Sequence, residues 1–180
     1  MRVVAGAFAG RTLASPNDFR VRPTAEPVRA ALLDLLATDL ADASVLDLFA
    51  GTGALGIEAI SRGARRCDFV ETRPASLAAL KSNVTRFRLK DRSRTFKRDA
   101  LPFAAALGPG AYDLAFVDPP YESRMLDRVI DHWRATAFAP VLAVEHARTH
   151  ALPPGAVTRV FGDTAVTIYR APRAVSAVSG

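Results

Sequence analysis

Beyond residue 44, short apolar runs alternate with segments of helical periodicity. Five runs have the length and continuity of buried strands: Val45–Phe49, Cys67–Glu71, Ser93–Lys97, Asp113–Val117 and Val141–Glu145. Helices are predicted through Ile57 to Ser61, from Pro74 to Val84 and from Ser123 to Trp133. This alternation is typical of a parallel sheet that is covered by helices on both faces.

The last two runs have a different pattern. Val157–Phe161 and Thr164–Arg170 alternate apolar and polar residues on either side of Gly162-Asp163, which predicts an antiparallel hairpin. Taken together, the runs predict an α/β fold with a doubly wound, mostly parallel seven-stranded sheet and a C-terminal antiparallel hairpin.

The N-terminal residues form a separate pattern. Val3–Gly6 and Arg11–Leu13 predict two short strands of a small β-hairpin extension, and a polar loop follows. Thr24 has the character of a helix N-cap, with Pro27 in the first turn and a helix to about Thr38. We therefore divide the chain into a basic hairpin extension (1–24), a main domain (25–172) and a flexible tail (173–180).

Composition limits the class of protein. The chain has 180 residues, 49% of them hydrophobic, which is enough for one ordinary core. It lacks an apolar stretch of membrane-spanning length and a signal peptide, so we expect a cytoplasmic protein without membrane contact. The single cysteine, Cys67, lies in an apolar run, and we interpret it as a buried reduced thiol. We expect no metal site.

The net charge of +6 and the pI of about 10.2 favour a polyanionic partner. The excess is concentrated in two blocks. Residues 1–30 carry five arginines against two carboxylates, and residues 81–98 carry eight basic residues against Asp91 alone. The second block is either an RNA-binding surface or a solvated helix and edge strand remote from the site, and the sequence does not decide between them.

A glycine turn follows the first predicted strand. Gly51-Thr52-Gly53-Ala54-Leu55-Gly56 fits G-x-G-x-x-G between a strand and a helix, and Glu71 ends the next strand twenty positions on. This spacing suits both a dinucleotide and S-adenosylmethionine. Asp47 favours S-adenosylmethionine, because a carboxylate near the turn suits a ligand with an ammonium and a sulfonium group and does not suit a pyrophosphate.

The predicted cofactor site extends along the neighbouring strand ends. Glu71 would accept hydrogen bonds from ribose hydroxyls, and Asp99 would accept one from the adenine amino group. The complete set of expected cofactor-binding residues is Asp47, Phe49, Ala50, Gly51, Gly53, Glu71, Thr72, Asp99, Ala100 and Asp118.

The tetrapeptide Asp118-Pro119-Pro120-Tyr121 comes directly after the fourth strand, at the edge where ligands of open sheets bind. A carboxylate and a proline carbonyl that accept the N–H bonds of an aryl amine can turn its lone pair toward a methyl donor. Tyr121 offers a face on which a flipped base can stack. We therefore interpret the four residues as catalytic, in the methylation of an exocyclic amino group of a nucleobase.

Over nearly its full length the chain resembles the bacterial 16S ribosomal RNA guanine(966)-N2 methyltransferases, with a class I methyltransferase fold. The matching stretches are Arg2–Gly6 with Gly10–Leu13, Arg22–Thr24 with Val28–Leu32, Leu46–Ala59 with Ser61–Ala64, and Asp118–Tyr121. The resemblance implies transfer of a methyl group from S-adenosylmethionine to guanine N2 in the rRNA of an assembling small ribosomal subunit. RNA contacts are expected from Arg2, Arg11, Arg20, Arg22, Thr24 and Arg29.

Three alternatives stay open at this point. Adenine-N6 methylation of DNA or another RNA suits the tetrapeptide equally well, although the short chain leaves no room for a domain that reads a duplex. A non-catalytic RNA-binding assembly factor would also explain the basic surface, and NAD binding is a weaker possibility. Glu145 and His146, at the end of the fifth strand, could approach the target base, but we favour a supporting or surface role.

Overall fold

The computed structural model describes residues 1–16, 25–119 and 124–172. A seven-stranded sheet runs through the middle of the molecule, with the strand order β3-β2-β1-β4-β5-β7-β6. The strands are β1 (Ser44–Leu48), β2 (Arg66–Val70), β3 (Ser93–Phe96), β4 (Leu114–Val117), β5 (Val141–Ala147), β6 (Val157–Phe161) and β7 (Thr164–Arg170). The predicted fold class is confirmed.

The first five strands run parallel to one another, and β7 runs in the opposite direction to both of its neighbours. β1 pairs with β2 on one side and with β4 on the other, so the strand order reverses beside β1. β7 lies between β5 and β6, and it pairs with both in antiparallel register. The carboxyl ends of β1, β2, β3 and β4 therefore meet at one edge, and ligands of doubly wound sheets bind at such a reversal.

Helices cover both faces of the sheet. They are α1 (Glu26–Leu35), α2 (Ala37–Leu40), α3 (Ala54–Ser61), α4 (Pro74–Arg86), α5 (Ala100–Ala105) and α6 (Met125–Thr136). One core cluster contains the apolar residues of α1, α3 and α4, and the other contains those of α5 and α6. None of the described helices is long and apolar enough to cross a membrane.

Two predicted helix features are wrong. The N-cap of α1 is Ala25, with Pro27 in the first turn, whereas Thr24 lies outside the described residues. The helix stops at Leu35, and a second short helix follows it. Helix α5 was not predicted, because six residues are too few to show a periodicity; its signal is Asp99, whose carboxylate accepts from the amide of Leu101 as an N-cap.

The N-terminal segment is not a regular hairpin. Its two arms form only one isolated antiparallel bridge, between Arg2 and Thr12, because a 3-10 helix (Gly6–Phe8) occupies the connection. Gly6 has φ +83°, and a Cβ there would lie 2.0 Å from the Ser61 carbonyl oxygen. Val3 and Leu13 are buried in the core cluster of α1, α3 and α4. The segment is thus packed tightly on α3, and the predicted tail (173–180) lies outside the described residues.

Candidate active site

The turn after β1 is built from left-handed backbone conformations. Gly51 has φ +55° and Gly53 has φ +78°, which glycine adopts without steric cost. Phe49 has φ +67°, a conformation that an aromatic residue rarely adopts. Strain of this kind is maintained only where the surroundings hold the backbone, and it is common at ligand-binding sites.

Gly56 lets α3 approach the sheet closely. A Cβ at this position would lie 2.5 Å from Cys67 Sγ and 2.5 Å from Phe69 Cε1. The amide of Gly56 donates a hydrogen bond of 3.0 Å to Asp47 Oδ2. The third glycine of the motif therefore serves helix–sheet packing, and Cys67 is the buried thiol that was predicted.

Asp47 is buried below the turn, with only 2% of its surface exposed. Burial, together with smaller contributions from the nearby charges of Asp118 and Glu71, raises the pKa of its carboxyl group to about 8, against the hydrogen bond from Gly56. Three carboxyl groups thus influence one another at the carboxyl edge of β1, β2 and β4. A cationic group would relieve their repulsion.

Glu71 closes the other side of the turn. Its Oε2 accepts from the Gly51 amide at 2.9 Å, and its Oε1 accepts from the amides of Thr72 and Arg73 at 2.8 and 2.7 Å. The carboxylate therefore organises the loop itself. Its predicted hydrogen bonds to ribose hydroxyls stay a prediction and would have to use the remaining lone pairs.

A cavity of about 150 Å³, open to solvent, lies beside this loop. It brings together five of the predicted cofactor-binding residues: Phe49, Glu71, Thr72, Asp99 and Ala100. Ala50, Gly51 and Gly53 belong to the adjoining turn. The cavity also includes Val70, Arg73, Arg98 and Met125, which sequence reasoning missed. The signal for the two arginines was their position, because Arg73 directly follows Thr72 and Arg98 directly precedes Asp99, both of them predicted cofactor-binding residues.

Asp118 follows β4 directly and is half-buried, and Pro119 after it is buried. The pairing of Leu48 with Val117 places Asp118 at the level of Phe49, next to the turn. Its charge acts on Asp47. Pro120 and Tyr121, the other two predicted catalytic residues, lie outside the described residues.

These residues fit S-adenosylmethionine on chemical grounds. The carboxyl groups of Asp47 and Asp118 suit its ammonium and sulfonium charges, and the apolar side chains of Phe49, Val70 and Met125 suit an adenine ring. A pyrophosphate would instead add negative charge beside buried carboxyl groups. The geometry therefore favours S-adenosylmethionine over NAD.

The predicted RNA contacts separate into three groups. Arg2 and Arg11 are exposed on the N-terminal segment, and Arg20, Arg22 and Thr24 lie outside the described residues. The prediction for Arg29 is wrong. Its side chain is fully buried, its Nε lies 2.7 Å from Glu58 Oε2, and its Nη2 donates to the carbonyl of Arg2. An arginine enclosed in this way ties α1 to α3 and cannot reach a phosphate.

His146 is buried in the sheet and is not a surface residue. Its ring nitrogens lie 2.9 Å from the Ala147 carbonyl and 2.9 Å from Thr167 Oγ1. Burial lowers the pKa of the imidazole, against the effect of the Ala147 hydrogen bond. Glu145 is buried one position beyond the pair of Val117 and Val144, at the level of Asp118. Of the two residues, Glu145 is the one beside the site.

Comparison with known proteins places the chain among RNA methyltransferases. The model of the family described as conserved hypothetical protein 95 matches residues 1–169. The chain is 32% identical to "Putative rRNA methyltransferase YlbH" of Bacillus subtilis over 181 residues, covering 94% of this chain and 98% of that protein. It is 35% identical to ribosomal RNA small subunit methyltransferase D of Escherichia coli over 131 residues, covering 73% of this chain and 65% of that protein.

Solved structures of similar proteins support this assignment. The Escherichia coli protein yhhF superposes with a TM-score of 0.82 at 30% identity, over 94% of this chain and 97% of that one. An RNA methyltransferase of Salinibacter ruber, in complex with S-adenosyl-L-homocysteine, has a TM-score of 0.66 at 15% identity, over 84% of this chain and 95% of that one. At this identity the second likeness concerns the fold alone.

Proposed function

Since the chain belongs to the conserved hypothetical protein 95 family, the 16S rRNA guanine(966)-N2 methyltransferase family that its motifs resemble, we propose that it methylates the exocyclic N2 amino group of a guanine in 16S rRNA. S-adenosylmethionine is the methyl donor. The observation that carries the proposal is the position of Asp118, one residue beyond β4 and beside the turn that closes the cofactor cavity.

The guanine amine is a poor nucleophile, because its lone pair is delocalised into the ring. Asp118 and the carbonyl of Pro119 would each accept one of its N–H bonds and orient the lone pair out of the ring plane. Tyr121 would stack on the base, and a stacking contact of this kind contributes about 1–3 kcal/mol to binding. The residues thus act by positioning, and no covalent enzyme intermediate is needed.

The bound cofactor would supply an electrophilic methyl group from its sulfonium and would leave as a neutral thioether. The methylated nitrogen would lose one proton, which the carboxylate of Asp118 would accept. Asp47, when ionised, stabilises the positive charges of the donor in the ground state.

Phosphates of the RNA would contact the exposed arginines of the N-terminal segment. Arg2 and Arg11, which are exposed, would take this role, and Arg20, Arg22 and Thr24 complete the proposed set. The Escherichia coli relative is named for methylation of the RNA of the small ribosomal subunit, which supports 16S rRNA as the substrate. An assembling small subunit is the proposed form of that substrate.

Replacing Asp118 with asparagine tests the mechanism. Asp118→Asn keeps the size of the side chain and an oxygen that can accept an N–H bond, but it removes the negative charge and the group that accepts the proton. We expect methyl transfer to fall at least about 100-fold, in the range of general acid–base contributions. Cofactor binding by calorimetry should weaken far less. Transfer of labelled methyl groups to naked 16S rRNA and to small subunits measures the first quantity.

The matched control is Asp131→Asn, at an exposed position on α6. It should leave both measurements unchanged. Full activity of Asp118→Asn would contradict the mechanism. If wild-type protein binds S-adenosylmethionine but methylates neither form of the RNA, the proposed substrate is wrong.

A further inference from the structure

Five of the eight basic residues between positions 81 and 98 fall into two structural groups. Arg92 donates to the carbonyls of Arg65 and Ala64 at 3.0 and 2.6 Å, and Arg94 pairs with the buried Asp68. These two arginines hold β3 and its approach in place. Lys81, Arg86 and Arg88 instead lie on or just beyond the exposed face of α4.

Side-chain hydrogen bonds join the N-terminal segment to the C-terminal end of α4. Arg11 Nη2 donates to the carbonyl of Arg86 at 2.8 Å, and Arg86 Nη1 donates to the carbonyl of Thr12 at 3.1 Å. The guanidinium carbon of Arg11 lies 4.2 Å from the ring centroid of Phe87. The two exposed arginines are therefore held next to each other on one ordered surface, despite their like charge.

Little of this charge is offset by carboxylates, and Arg73 is paired with Glu71 at 3.6 Å. Residues 1–16 and 72–90 contain seven basic side chains and neither aspartate nor glutamate. Within the described part of the chain, the side chains of Lys81 and Arg88 make no hydrogen bond or ion pair. Their charges are thus available to a ligand.

We propose that the surface formed by Arg11, Lys81, Arg86 and Arg88, here called the α4 surface, binds the phosphate backbone of the RNA outside the target nucleotide. The inference rests on the proposed function and extends it. Helix α4 follows Arg73, which lines the cofactor cavity, and its thirteen residues span about 20 Å. Because α4 connects the parallel strands β2 and β3, it runs back from the edge that carries the site, so the α4 surface would bind phosphates several nucleotides away from a target base at Asp118.

The chemistry of the surface favours RNA over an acidic protein. Guanidinium groups bind phosphate oxygens with two parallel hydrogen bonds, and Arg11 is already held in one plane by its aromatic neighbour. The surface also lacks the apolar centre of a protein interface, since the described side chains exposed on α4 are small or polar.

The test is the salt dependence of RNA binding. The double variant Lys81→Gln/Arg88→Gln removes two charges and keeps long polar side chains. If both residues contact phosphates, the slope of log K against log salt should fall by about 1.4 for single-stranded and about 1.8 for duplex RNA. Fluorescence anisotropy with a labelled 16S rRNA fragment and the full chain provides the measurement.

The control variant, Arg134→Gln/Arg159→Gln, removes two exposed charges from α6 and β6. It should leave the slope unchanged. If both variants reduce the slope equally, or if neither changes it relative to the wild type, the proposal is overturned. Unchanged slopes would assign the α4 surface to another partner, such as an acidic protein. Methylation of the same RNA by wild-type protein is measured in parallel, so a failure of the proposed function is seen separately.

Discussion

Asp47 illustrates how the environment of one side chain prepares a site for a ligand. The sequence placed it inside a strand before a glycine turn, and from this a preference for a positively charged ligand could be inferred. The structure adds the physical cause: the carboxyl group is almost completely removed from water and lies near two further carboxyl groups. Charge on Asp47 is therefore costly until a cation arrives.

Because charging Asp47 in the folded state is costly, we predict that the stability of the cofactor-free protein depends on pH. The folded pKa of Asp47 is about 8, against an ordinary value of 3.8, so the folded state binds one more proton than the unfolded state between these pH values. Its contribution to the free energy of unfolding therefore falls as pH rises from about 4 to 8, and it is constant above. Asp47→Asn should lack this decline while retaining an acceptor for Gly56.

Urea unfolding of both proteins at pH 5, 6.5 and 8 checks this expectation. The wild type should lose stability relative to Asp47→Asn with each step. Parallel pH profiles of the two proteins would mean that Asp47 ionises normally in the folded state.

Arg29 marks where sequence reasoning fails for single residues. It was assigned to RNA because it lies among other arginines in a basic N-terminal region. Only packing reveals that it points inward, to a glutamate twenty-nine positions away. A residue type in a local pattern identifies what a side chain can do, but its partner is set by tertiary contacts.

At the scale of elements, the buried pair of Arg29 and Glu58 joins α1 to α3. Glu58 also accepts from Arg62, which pairs with Asp34 on α1. Because Arg29 also holds the carbonyl of Arg2, the same network anchors the N-terminal segment. The two helices and the segment are thus fixed together by charged groups as well as by apolar packing.

Breaking this pair should be strongly destabilising. Arg29→Met leaves the carboxylate of Glu58 without its buried partner, and we expect the free energy of unfolding to fall by about 3–5 kcal/mol. The double variant Arg29→Met/Glu58→Met should recover most of the loss. Arg128→Met, at an exposed position on α6, is the control and should change little. A loss below about 1 kcal/mol with weakened RNA binding would restore the RNA role of Arg29.

The predictability of elements followed their length and burial. Each strand predicted beyond residue 44 agrees with the observed one to within two residues at either end, and the parallel strands were recognisable because they are buried and appear as continuous apolar runs. Short or irregular elements were harder to predict. Helix α5 has only six residues, and the N-terminal hairpin is largely replaced by a 3-10 turn that two positive-φ glycines support.

At the scale of the molecule, the alternation of strands and helices was sufficient to predict the fold and the edge where the site lies. Five expected cofactor-binding residues line one cavity, as the order of the motifs along the chain implied. The hydrogen bond between Arg11 and Arg86 could not be predicted, because it joins residues seventy-five positions apart and depends on the conformation of the Arg11 side chain. The cofactor half of the site was thus more predictable than the RNA-facing half.

The identity of the methylated nucleoside tests the central claim most directly. Small subunits and naked 16S rRNA are incubated with the protein and isotopically labelled S-adenosylmethionine, then digested to nucleosides and separated by mass spectrometry. We predict label in N2-methylguanosine, at a level at least about 100-fold lower with Asp118→Asn. Label in N6-methyladenosine, or no labelled nucleoside from either RNA, would contradict the account.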